Sequence, residues 1–115
     1  MSSGRLWDFR IKHVLEAIER IQAYTKGVDR VQFSADQMLI DAVIRNFQVI
    51  GEAARLVPED VQSAHPEIPW HDMQRMRHVL VHDYDRVDTE KVWLTIHEDL
   101  PPLIEPLKRL LRTVR

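Results

Sequence analysis

Apolar residues recur at helical spacing along almost the whole chain, and this constrains the fold more than any other feature. From Leu6 to Tyr24 they fall at Trp7, Ile11, Val14, Leu15, Ile18 and Ile21, with charged residues between them. That is the stripe of an amphipathic helix, and Gly27 follows it as a C-terminal stop. Ser34-x-x-Gln37 has capping-box form and opens a second helix. Its stripe runs through Ile40, Val43, Ile44, Phe47, Ile50, Gly51, Ala54 and Val57 to Pro58, which ends the pattern or begins a short further turn of helix. The HPEIP segment at 65–69 is an elbow stiffened by two prolines. Pro69 suits the first turn of a third helix, predicted from Trp70 toward Tyr84. Asp88 is the N-cap of a last helix carrying Val92, Trp93, Ile96, Leu100, Leu103, Leu107 and Leu110. Pro101, Pro102 and Pro106 interrupt that pattern and predict a kink or break. With three glycines in 115 residues, turn-rich β-folds are disfavoured. The expected fold is an all-α antiparallel bundle of four to five helices, one domain over 1–115.

Charge and composition narrow the function classes. The formal charge is −2 and the pI about 6.3, unlike a basic protein that coats nucleic acid, so any attraction for RNA is local or comes from an assembly. The absence of cysteine excludes disulfides and thiolate zinc sites and fits a cytoplasmic address. The N-terminal segment carries charges throughout and has no apolar run of signal-peptide length. No segment approaches the roughly 20 apolar residues that span a bilayer.

One short stretch, MRHVLVHDY at 76–84, carries most of the chemistry. It holds Arg77, His82 and Tyr84 in the order R-x4-H-x-Y. Arginine stays charged and can grip phosphate oxygens with two parallel hydrogen bonds. Histidine exchanges protons near neutral pH. Together they suit cleavage of RNA through its own 2′-hydroxyl, which needs a base, an acid and positive charge at the phosphorus, and no metal or cofactor. On an ideal helix, at about 100° per residue, Arg77 and Tyr84 project within roughly 20° of each other and His82 about 140° from Arg77. All three therefore converge only if the helix ends or distorts, or if a second chain completes the site. On spacing alone the stronger reading is helix-end charges that complement the macrodipole and pair with Asp83 or Asp85.

The match to a known family extends well beyond this motif. AVIRNFQVIGEAARLVPEDV, the HPEIPW elbow, R-x4-H-x-Y, VDTEKVW and HEDLPPL, in that order, resemble the HepT-like family of HEPN-superfamily ribonuclease toxins. The resemblance implies an all-helical two-fold homodimer that cuts RNA without metal in a cleft between protomers. It implies Arg77 and His82 as the catalytic pair. It also implies an MntA-like nucleotidyltransferase antitoxin as partner, which transfers AMP to the tyrosine corresponding to Tyr84. His78 departs from the pattern, since asparagine often follows the motif arginine in this family.

Other residues have competing readings. His78 and His82 sit at metal-ligand spacing, with Asp83, Asp85 or His71 as further ligands, but no HExxH pattern accompanies them and no metal is expected. Arg45 and Glu52 share a helical face with Asp41, either solvated and paired within the helix or lining the dimer cleft. Arg45, Glu52 and His78 are therefore secondary candidates to contact RNA or support the site. Lys108, Arg109, Arg112 and Arg115 complement the last helix dipole or attract phosphate. Trp7, Trp70 and Trp93 occupy apolar helical positions and are expected in the core or an interface. A rival of another class is a non-catalytic docking or nucleotide-binding subunit of a nucleotidyltransferase. A metal-dependent hydrolase using His78 and His82 is a third reading.

Overall fold

The computed structural model describes residues 7–78 and 87–113, and these contain helices and the turns between them. The order is α1 (Asp8–Thr25), α2 (Arg30–Ala35), α3 (Gln37–Arg55), α4 (Glu59–Ala64), α5 (Trp70–Arg75), α6 (Thr89–Leu94), a π-helical segment (Thr95–Asp99) and α7 (Pro101–Arg112). The all-α expectation holds. The segments are shorter and more numerous than the apolar periodicity suggested, because caps and prolines subdivide it.

α1 and α3 form the centre. Ile11, Val14, Ile18 and Ile21 of α1 are buried together with Val43, Phe47, Ile50 and Ala54 of α3, where the non-directional gain from removing apolar area from water is largest. One polar tie sets their register. Buried Asn46 accepts the Arg20 Nε–H at 2.9 Å and donates to the Ala42 carbonyl at 2.9 Å. Leu103, Leu107 and Leu110 of α7 close the core. Trp7 and Trp70 are buried, and partly buried Trp93 packs against the core, as expected for the three tryptophans.

The second helix does not open at Ser34. Asp29 accepts the Gln32 N–H at 2.8 Å while Gln32 Oε1 accepts the Asp29 N–H at 3.0 Å, so the capping box starts α2 at Arg30. Asp36 then caps α3 by accepting the Leu39 N–H at 3.1 Å. Ser34 lies inside α2. Carboxylates at both starts satisfy orphan N–H groups more strongly than a serine hydroxyl does. Gly27, at φ +76°, makes the turn between α1 and α2, a conformation that a Cβ disfavours.

Asp88 caps α6 as expected, accepting the Lys91 N–H at 3.1 Å. The break predicted from the prolines is a widened turn lying before them. Leu100 donates to the Thr95 carbonyl, five residues back, at 3.1 Å. Pro101 and Pro102 carry no N–H and their rings crowd carbonyls four residues back. The wide turn relieves that crowding and lets both prolines serve as the first two residues of α7. Pro106 is carried inside α7.

Candidate active site around Arg77

Arg77 lies just beyond the end of α5, on a tight turn. The third helix was expected to run toward Tyr84, but α5 ends at Arg75. Three successive N–H groups then donate three residues back: Met76 to Met73 at 3.1 Å, Arg77 to Gln74 at 3.4 Å, and His78 to Arg75 at 3.1 Å. Such bonds narrow the chain. His82 and Tyr84 lie outside the described residues, as do Asp83, Asp85 and Arg115.

α3 holds this turn in place. A Cβ built on Gly51 would stand 2.6 Å from the Arg77 nitrogen, 2.7 Å from Arg77 Cβ and 3.0 Å from the Gln74 carbonyl. Only a hydrogen fits there, so Gly51 is what lets the backbone of Arg77 rest on α3. α5 is held from its other side as well. Gln74 Nε2 donates to Gln62 Oε1 at 3.2 Å, and Gln62 Nε2 donates to the Val57 carbonyl at 2.9 Å. The Trp70 indole donates to the His65 carbonyl at 3.0 Å, which fixes the elbow at the head of α5.

The Arg77 side chain is half-buried. Its Nη1 is shielded from solvent and makes no hydrogen bond among the described residues. A buried donor left without an acceptor costs roughly 1–3 kcal/mol, more for a charged group. His78, the next residue, is exposed.

Glu52 follows Gly51 on α3 and lies within the fields of three guanidiniums. It pairs with Arg55 one turn on, with both side chains about half exposed. The hydrogen bond from Arg55 holds the Glu52 carboxyl below its ordinary range, with further lowering by the charges of Arg55, Arg77 and Arg10. The same bond raises the Arg55 guanidinium. The favourable contribution of this pair is fully present above the ordinary Glu range and is lost as pH falls through the lowered folded value. The Glu52 side-chain carboxyl followed by carbon NMR should therefore titrate below a free glutamate and move back up in Arg55→Gln. A midpoint unchanged by that substitution would rule out Arg55 as the main cause.

The secondary candidates separate. Glu52 stands at the site. Arg45 is exposed, and no described hydrogen bond or ion pair links it to Arg77 or Glu52. The Asp41–Arg45 pairing is replaced by Gln37 donating to Asp41 at 2.8 Å. Arg10 and Arg55 were not singled out from the sequence, since one begins α1 and the other ends α3. A glycine within a strongly apolar helix was the one local sign of close backbone approach at Gly51. Among the described residues, no group of three His, Asp or Glu side chains is placed to hold a metal ion. No described helix is long and apolar enough to cross a membrane.

Residues 14–110 match the family model described as Ribonuclease HepT-like. The chain is 40% identical over 100 residues to a protein named "Probable ribonuclease HepT" from Thermococcus cleftensis, covering 87% of this chain and 91% of that one. It is 30% identical over 102 residues to a "Putative RNase" from Caldanaerobacter subterraneus subsp. tengcongensis, covering 89% and 91%. A third relative, "Gamma-glutamylcyclotransferase and putative RNase" from Methanocaldococcus jannaschii, is 35% identical over 101 residues, covering 88% of this chain but 46% of its own length. No solved structure gives a significant match. The matched segment contains the Gly51–Arg77 contact, the elbow and the R-x4-H-x-Y motif, and the chain belongs to the HepT-like ribonuclease family.

Proposed function

We propose that this chain is a metal-independent endoribonuclease, the toxin of a toxin–antitoxin pair, acting as a two-fold homodimer in the cytoplasm. The observation that carries this reading is Arg77: its backbone is seated on Gly51 and its buried Nη1 has no acceptor among the described residues. A phosphate oxygen is the acceptor that such a donor fits. Arg77 holds the scissile phosphate and offsets the charge that builds on its oxygens. His82 removes the 2′-OH proton, O2′ attacks phosphorus, and the P–O5′ bond breaks as the departing oxygen takes up a proton. The products are a 2′,3′-cyclic phosphate and a 5′-hydroxyl. One histidine per chain fills one proton-transfer role, and the His82 of the second protomer fills the other. His78, in place of asparagine, borders the site.

Tyr84 is the regulatory position. An MntA-like nucleotidyltransferase transfers AMP from ATP to its phenolic oxygen, with pyrophosphate leaving. The added phosphate then competes with RNA for Arg77.

The test is cleavage of single-stranded RNA in EDTA with analysis of the ends. The wild type should leave cyclic phosphates, and His82→Ala should lose at least about 10²-fold in rate while keeping its helical circular dichroism. RNA left intact, or cut only when divalent metal is added, defeats the reading. Co-expression with the nucleotidyltransferase should add the mass of AMP to the wild type and none to Tyr84→Phe. A stable complex with no cleavage and no growth arrest would instead favour a docking subunit.

A further inference from the structure

α4 is six residues long and buries none of them fully, and a helix this short does not hold itself together in isolation. Its Gln62 nevertheless makes three hydrogen bonds with one half-buried carboxamide. Nε2 donates to the Val57 carbonyl at 2.9 Å and to the Ala54 carbonyl at 3.3 Å, while Oε1 accepts from Gln74 Nε2 at 3.2 Å. The reverse orientation of the amide would set Oε1 against two carbonyl oxygens, so the network fixes which end faces which neighbour. Gln62 thereby joins the end of α3 to α5.

The bonds continue to Arg77. The Gln74 carbonyl accepts the Arg77 N–H at 3.4 Å and lies 3.0 Å from the place a Cβ on Gly51 would take. Gly51 makes room for the turn but has no side chain to draw it in. Trp70, Met73 and Met76 are buried and press α5 onto the core, yet apolar burial is non-directional and opposes sliding only weakly. Hydrogen bonds supply the direction. The Trp70 indole bond to the His65 carbonyl holds the head of α5. The Gln74 bond to Gln62 holds it one turn further on, three residues before Arg77.

We infer that Gln62 is a positioning residue for Arg77, tying the end of α3 through Gln74 to the turn that carries the guanidinium. It acts through Gln74 and not on the substrate. This rests on the ribonuclease reading and adds to it a residue outside the R-x4-H-x-Y motif on which the rate depends. Without the tie, the Arg77 turn is free to lift from Gly51. Charge builds on the phosphate oxygens only as the bond breaks, so a misplaced guanidinium weakens the transition state more than the bound substrate.

The test compares Gln62→Met and Gln74→Met in the full-length chain, by cleavage of a short single-stranded RNA and by backbone hydrogen exchange. Each should lower kcat by about tenfold, short of the roughly 10²-fold that a displacement near 1 Å costs, with a smaller change in KM. Each should also speed exchange across 74–78 and leave α1 at its wild-type rate. The double variant should be no slower than the slower single, because both changes remove one interaction. In an Arg77→Met background, Gln62→Met should slow the residual cleavage little further. Should Gln62→Met unfold, Gln74→Met carries the test, since it leaves the bonds to Ala54 and Val57 in place. A wild-type kcat in Gln74→Met overturns the positioning role and leaves Gln62 as a cap on those two carbonyls. Equal slowing by Gln62→Met with and without Arg77 overturns it too, because the effect then bypasses the guanidinium. RNA left intact by the wild type overturns the ribonuclease reading and this role with it.

Discussion

Arg77→Met should lose about 10²- to 10³-fold in RNA cleavage while melting at the wild-type temperature or slightly above it. The size of the activity loss follows from removing one preorganised donor from a developing oxyanion. The stability half is the more discriminating. Arg77 Nη1 is buried and makes no hydrogen bond among the described residues, so the folded protein carries a desolvation cost of roughly 1–3 kcal/mol with no bond to offset it. Methionine keeps an unbranched apolar stem against Gly51 and removes that cost. Activity and stability therefore move in opposite directions, as at sites strained for function. Arg77→Lys should fall between wild type and Arg77→Met, since it keeps the charge and loses the planar fork. Thermal melts and single-turnover cleavage decide the matter. An Arg77→Met protein that unfolds would show that the guanidinium serves the fold, and one that cuts RNA at the wild-type rate would show that it does not serve the phosphate.

The second large effect is expected at Gly51. In an exposed helix, replacing glycine by alanine gains about 1 kcal/mol of helix propensity. At Gly51 the new methyl meets the Arg77 nitrogen at 2.6 Å, Arg77 Cβ at 2.7 Å and the Gln74 carbonyl at 3.0 Å. Two of these are backbone atoms and the third is fixed to the backbone, so no rotamer change relieves the clash. The turn must lift off α3, at a cost of about 1–3 kcal/mol for an overpacked site. The two terms partly cancel, so Gly51→Ala should be destabilised modestly, by about 0–2 kcal/mol. Its cleavage rate should fall far more, about 10²-fold, because a displacement near 1 Å is enough to misplace a catalytic group. A Gly51→Ala variant with wild-type stability and rate would mean that the approach of α3 to the Arg77 turn does not position the guanidinium.

These two residues also show how far sequence reading reaches. Arg77 was legible because its chemistry is intrinsic: a fixed charge at motif spacing from a histidine and a tyrosine. Gly51 was legible only as a member of an apolar stripe, because its role depends on a backbone 26 residues away in sequence meeting it in space. Arg10 was passed over for the same reason: it looks like an ordinary surface charge until the packing of α1 on α3 brings it into the field of Glu52. Arg55 pairs with Glu52 within α3, three residues on. The Ser34 capping box failed on a local competition. Ser34 and Gln37 have the required spacing, but Asp29 with Gln32 and Asp36 offer stronger acceptors a few residues to either side.

By itself the sequence determined that the chain is helical, which residues form the core, and that an arginine, a histidine and a tyrosine lie within eight positions. Those properties follow from periodicity, burial preference and side-chain chemistry, which are local. Only the tertiary structure decided that α5 stops before Arg77 and that the turn beyond it rests on Gly51. Such facts depend on how closely two backbones approach, a distance set by packing between segments remote in sequence.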